Sequence, residues 1–158
     1  MARTTELLAA LQPVLEHLRG LDLSAPGAAA SLAAALPLDG SDLAPVHTLV
    51  ELGLEEGWLC PREADGLRFG RLAKATAATG GFAIDAVDMQ GPGPGHTHPQ
   101  GEVDLCLPVS GSPRFDGQAP GWTVYGPGSW HVPTVTGGRM VILYFLPDGE
   151  IRFEGSPA

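Results

Sequence analysis

The sequence predicts a mainly β fold, an antiparallel barrel or sandwich behind an N-terminal helical extension. Two observations carry this. Apolar residues recur at helical spacing only before about residue 60. After it, six short runs rich in β-branched and aromatic residues are separated by Gly/Pro turns, with no helical stretch between them, which excludes alternating β/α units. At 158 residues the chain is sized for one domain plus an extension, with helices expected over 1–60 and the β-barrel over 61–158.

In order along the chain, Leu7, Leu8, Leu11, Val14, Leu15 and Leu18 form one helical stripe that stops at Gly20. A connector containing Gly, Ala and Pro follows. The stretch "SDLAPVHTLVELGLEEG" then predicts a second helix, with Ser41 or Asp42 as candidate cap and Leu43, Val46, Leu49, Val50 and Leu52 on one side. Pro45 falls in its first turn, where proline is tolerated. Strands are expected over 67–74, 81–90, 102–108, 121–126, 139–146 and 150–154. Most of the 22 glycines and 15 prolines lie in the turns between them.

Composition bounds the function. Hydrophobic residues make up 44% and charged residues 17%, the balance of a chain with an interior. A net charge of −9, from 9 Lys+Arg against 18 Asp+Glu, excludes a nucleic-acid partner, because phosphate binding needs a basic face. "MARTTELLAAL" has no apolar signal region, and the Ala-rich run "GAAASLAAALPL" is too short to span a bilayer. A soluble cytoplasmic protein without membrane contact is expected, with Cys60 and Cys106 as buried reduced thiols.

Chemistry concentrates in "GPGPGHTHPQGEVDLCLP". In a strand, residues i and i+2 share a face, so His96 and His98 project together, and Glu102 has the same parity. His131, after the turn "GPGS", adds a distant ligand that ties the set to the fold. Three imidazoles and a carboxylate suit a divalent transition metal, and Fe, Mn, Zn, Ni and Co are all compatible with them. Asp104 shares the inward face of Glu102, either as an extra catalytic base or as a structural aspartate at the barrel mouth. Cys106 is in phase with both. His17 and His47 fall on the helices and are expected to be ordinary surface or satisfied residues.

"HTHPQGE" and "GPGSWH" resemble the two signature motifs of the cupin superfamily, H-x-H-x₃-E and G-x₂-H. Gly111, Pro127 and Val135 depart from the flanking pattern, which affects turns more than ligands. The resemblance implies a single cupin-type antiparallel β-barrel (jelly roll) with a metal on His96, His98, Glu102 and His131.

Over about residues 50–154, "EEGWLCPREADGLRFGRL", "GHTHPQGEVDLCLPVSGSPRFDG" and "GWTVYGPGSWHVPTVTGGRMVILYFLPDGEIRF" are more specifically similar to the 4-hydroxylaminobenzoate lyase family. That resemblance implies a small-molecule substrate, 4-hydroxylaminobenzoate, converted to 3,4-dihydroxybenzoate with release of ammonia. Such chemistry needs a group to protonate or coordinate the leaving oxygen, a base, for which Glu102 and Asp104 are the catalytic candidates, and an arginine to hold the aryl carboxylate. Arg68, Arg71, Arg114 and Arg139 are candidates, with Arg71 chosen on the resemblance. Tyr125 and Trp130, flanking the second motif, are candidates to stack on the substrate ring or to fill the core. A mononuclear non-haem iron dioxygenase of a small organic acid and a non-catalytic small-molecule or metal-binding cupin are the competing readings. Exposed barrel edges and the apolar helices point to a homodimer.

Overall fold

The helical period of the first sixty residues folds into four short helices rather than two. In the computed structural model, which describes residues 2–153, these are α1 (Ala2–Ala10), α2 (Gln12–Arg19), α3 (Ala28–Ala35) and α4 (Ala44–Glu56). The expected first helix breaks at Leu11, because Pro13 has no N–H to continue the ladder and stands instead in the first turn of α2. Gly20 ends α2 as expected. The connector holds α3, whose run of alanines favours a helix by propensity while showing no amphipathic stripe; it buries Ala28 and Leu32. α4 starts later than Ser41 or Asp42 would place it. Its N-cap is Leu43, with no side-chain cap, and the full burial of Leu43 anchors that end. Gly57, at φ +82°, closes it by donating to the Gly53 carbonyl.

Among the described residues nine strands follow: β1 (Arg62–Ala64), β2 (Leu67–Ala73), β3 (Phe82–Met89), β4 (His96–His98), β5 (Glu102–Phe115), β6 (Gly121–Tyr125), β7 (Ser129–His131), β8 (Val135–Pro147) and β9 (Arg152–Phe153). All six expected strands are present. The last residue of the 150–154 stretch, Glu154, lies outside the described residues. Three further strands, β1, β4 and β7, have three residues each, too few to display a period. β5 and β8 run longer than expected because bulges at Pro108/Ser110 and Gly111/Arg114 carry their pairing around a bend.

The strands form two antiparallel sheets, one ordered β1-β2-β3-β8-β5-β6 and one ordered β7-β4-β9. Strand alternation sorts the large sheet's side chains into two cores. Val103, Leu105 and Leu107 of β5, with Val141, Leu143 and Phe145 of β8, pack with the helices. Cys106, Met140, Ile142, Tyr144 and Leu146 belong to a second cluster on the opposite face, the face that also carries Glu102 and Asp104. The helices are tied on by apolar packing and by Trp122 Nε1–H donating to the Leu36 carbonyl at 2.9 Å. The architecture is thus the mainly β antiparallel sandwich with N-terminal helices that the sequence predicts.

Cys60 and Cys106 are buried free thiols. His17 is exposed, and His47 Nε2 meets the Leu38 carbonyl at 2.9 Å. Among the described residues no helix is long and apolar enough to cross a membrane.

Candidate metal centre

The small sheet assembles three of the four expected ligands by register alone. β4 pairs with β7 so that His96 stands opposite His131 and His98 opposite Ser129. Glu102 arrives from the large sheet as the first residue of β5. The crossing between sheets turns at Gly101, at φ +94°, where an added Cβ would lie 2.9 Å from the Tyr125 carbonyl oxygen. Only glycine meets both demands.

One donor atom from each of His96, His98, Glu102 and His131 lies within 4.8 Å of all the others. His96 Nε2 is 3.4 Å from Glu102 Oε1, and His98 Nε2 and His131 Nε2 are 3.3 and 3.6 Å from Oε2. The outer nitrogens fix the tautomers. His96 Nδ1 faces the Pro94 carbonyl at 3.1 Å, which only accepts. His98 Nδ1 meets Ser129 Oγ at 2.9 Å, and that hydroxyl spends its own proton on the Gly126 carbonyl. His131 Nδ1 meets Asp116 Oδ2 at 2.6 Å.

Each Nδ1 is thus placed to donate outward, and each Nε2 faces the centre. His96 Nε2 and His131 Nε2 approach to 3.1 Å beside a buried carboxylate. His98 Nε2 and both Glu102 oxygens have no hydrogen-bond partner. Such crowding of donors is unfavourable alone and fits a cation at the centre.

The electrostatics agree. Burial opposes charge on Glu102, yet His131, His96 and His98 hold its carboxyl well below the ordinary range. Burial also opposes protonation of His131, but Asp116 and Glu102 outweigh it and raise the ring to about 9. The centre calls for positive charge, on His131 or on a bound ion. Asp104 is fully buried on the same face as Glu102, with both oxygens unpartnered. Burial, then the charge of Glu102, pushes it well above the ordinary carboxylate range.

A cleft of about 910 Å³ opens beside the centre. Phe69, Arg71, Val87, Met89, His96 and Tyr144 are among its walls. Of the four candidate arginines only Arg71 lines it. Arg71 Nε and Nη2 fork onto Asp85 at 2.7 and 3.1 Å, leaving Nη1 outside that pair. Arg68 is engaged by Glu63 and the Cys60 carbonyl, Arg114 by the Gly117 carbonyl and Arg139 by Asp88.

Tyr125 lies behind the ligands and outside the cleft wall. Its ring stacks on His98 at 5.3 Å and leans on His131 at 4.2 Å, and its hydroxyl donates to Asp116. Trp130 alternates with Ser129 and His131 on β7, which puts it on the opposite face of the small sheet from the cluster.

Sequence reasoning missed Asp116, Ser129 and Tyr144. Asp116 accepts from His131, Tyr125 and the Thr134 N–H, at a backbone φ of +49°. The Asp-Gly pair in "RFDG" signals that turn, though not its use. Ser129 sits inside the G-x₂-H motif, and Tyr144 carries no local signal.

Solved structures of similar shape include a cupin-like protein from Thermotoga maritima (14% identity, 60% of this chain and 80% of that one, TM-score 0.42). Another is a putative acetylacetone dioxygenase from Methylibium petroleiphilum (18% identity, 60% and 72%, TM-score 0.42). The sequence is 34% identical to the 4-hydroxylaminobenzoate lyase of Nocardioides sp. (strain LMS-CY), over 71% of this chain and 72% of that protein. It is 33% identical to that of Pseudomonas putida, over 73% and 76%. The family model described as PnbB, 4-hydroxylaminobenzoate lyase, matches residues 12–153, so the likeness reaches back through the helices, well before residue 50. With nearly the whole chain matched, the protein belongs to the 4-hydroxylaminobenzoate lyase family.

Proposed function

We propose that this chain is a metal-dependent lyase converting 4-hydroxylaminobenzoate to 3,4-dihydroxybenzoate and ammonia at the His96–His98–Glu102–His131 centre. One observation carries the reading. Four inward-facing donors with fixed tautomers, and the buried Asp104, converge beside a cleft of the size that small aromatic acids occupy. Family membership supports the substrate.

The reaction consumes one water. The N–O bond breaks, a ring carbon gains oxygen, and the C–N bond is hydrolysed to release ammonia. A divalent ion held by His96, His98, Glu102 and His131 would supply Lewis acidity and an activated water. The chain's own groups do the rest. Glu102, ionised, contributes the negative charge that completes the donor set. Asp104, its carboxyl pushed toward the protonated form by burial and by Glu102, would hold a proton for the departing oxygen or nitrogen. Arg71, oriented by Asp85, offers its remaining N–H donors to the substrate carboxylate at the cleft wall. Tyr125 braces the rings of His98 and His131 and keeps them on target.

The test is metal analysis of the purified protein together with ammonia release from 4-hydroxylaminobenzoate, for wild type and His98→Ala. Expected are one ion per chain and ammonia release in wild type, with both lost in the variant. Stoichiometric metal without ammonia would overturn the lyase reading, and unchanged metal content in His98→Ala would overturn the centre.

A further inference from the structure

Strand register gives the cleft wall an order. Arg71 of β2 stands opposite Asp85 of β3, Asp85 opposite Tyr144 of β8, and Tyr144 opposite Asp104 of β5. Directly paired residues leave a sheet on the same face. These four polar side chains therefore form one row from the exposed Arg71, along the cleft wall through Asp85 and Tyr144, to the fully buried Asp104 behind it.

Arg71 and Asp85 satisfy each other, and Asp104 belongs to the reacting centre. Tyr144 is left over. It is 6% exposed, it lines the cleft, and its ring stands edge-on to His96 at 6.3 Å. No described residue hydrogen-bonds its hydroxyl. The oxygen is not sealed in the interior, so a hydroxyl without a protein partner here is open to a ligand in the cleft.

We propose that the Tyr144 hydroxyl is a substrate contact, donating a hydrogen bond to the polar group that an aryl acid carries para to the carboxylate held at Arg71. Tyr144 and Arg71 are two strand spacings apart, roughly 10 Å between backbones, so their side chains rise from two separate points of the wall and can meet opposite ends of a substituted benzene ring. The row then acts as a ruler: it favours para-substituted benzoates over meta and ortho isomers, whose second group falls short of the hydroxyl. The substrate class rests on the lyase reading, but the contact is tested separately.

The experiment titrates benzoate and 4-hydroxybenzoate into wild type, Tyr144→Phe and Arg71→Met, each as purified, by calorimetry. Tyr144→Phe should weaken 4-hydroxybenzoate roughly tenfold and leave benzoate unchanged, the loss of one ligand hydrogen bond. Its melting temperature should stay level or rise, because the hydroxyl has no protein partner to lose. Arg71→Met should weaken both ligands by a similar factor. Equal effects of Tyr144→Phe on the two ligands, no effect on either, or a wild type that binds neither would overturn the contact. A differential effect in a protein that releases no ammonia from 4-hydroxylaminobenzoate would remove the lyase reading and keep the contact; ammonia release with no differential effect would do the reverse.

Discussion

Asp116 holds much of the centre's order from outside the ligand set. Its left-handed backbone conformation favours Asp, Asn or Gly, so Asp116→Asn keeps the turn and the bond from the Thr134 N–H while removing the charge that faces His131 Nδ1. Metal affinity of this variant, measured by competition with a chelator, is expected to fall about 10–100-fold with little change in fold. The thiols make a second prediction at this scale. Burial, then the charge of Asp88, pushes the Cys60 thiol up to about 12. The unfolded thiol ionises from about 8.5, so between these values the unfolded state binds fewer protons than the native one, and stability falls as pH rises. Urea titrations from pH 8 to 10 should show the decline, reduced in Cys60→Ala, and a thiol reagent should label neither cysteine before unfolding. The clustered residues were legible from the sequence, His96, His98 and Glu102 by their local spacing and His131 by the motif around it. Asp116 and Tyr144 were not, because their meaning depends on what folding brings to them from 15 or more residues away.

At the scale of elements, what the sequence hid was short or uniform. α3 is a run of alanines without a stripe, and β4 and β7 are three residues each, defined by pairing with one another and not by any period of their own. In the large sheet β1, at three residues, was hidden in the same way, whereas β2, β3, β5, β6 and β8 were readable because each runs for five residues or more between turn signals. The joint between the sheets depends on Gly101. In Gly101→Ala the methyl group meets the Tyr125 carbonyl at 2.9 Å in a backbone region that L-residues avoid. A loss of about 1–3 kcal/mol in chemical denaturation is expected, accompanied by weaker metal binding, since the turn places Glu102 against the histidines.

For the whole molecule, the helices pack against one face of the large sheet. Leu7, Leu11, Leu15, Leu36 and Val46 share one core with Leu105, Leu143 and Phe145. Residues 1–60 are an extension in sequence, and we propose that they fold with the sandwich as one unit. A fragment spanning 61–158 would expose that face to water, and it is expected to bind hydrophobic dye and to lack a cooperative thermal transition. The division of ligands has its own consequence. His96, His98 and His131 belong to the small sheet and Glu102 to the large one. An ion bound to all four is therefore a rivet through the sandwich: it clamps together two layers that neighbouring strands do not otherwise join by backbone pairing. Losing it would cost the fold its fastening as well as its chemistry, so that the protein's heat tolerance should track the supply of metal.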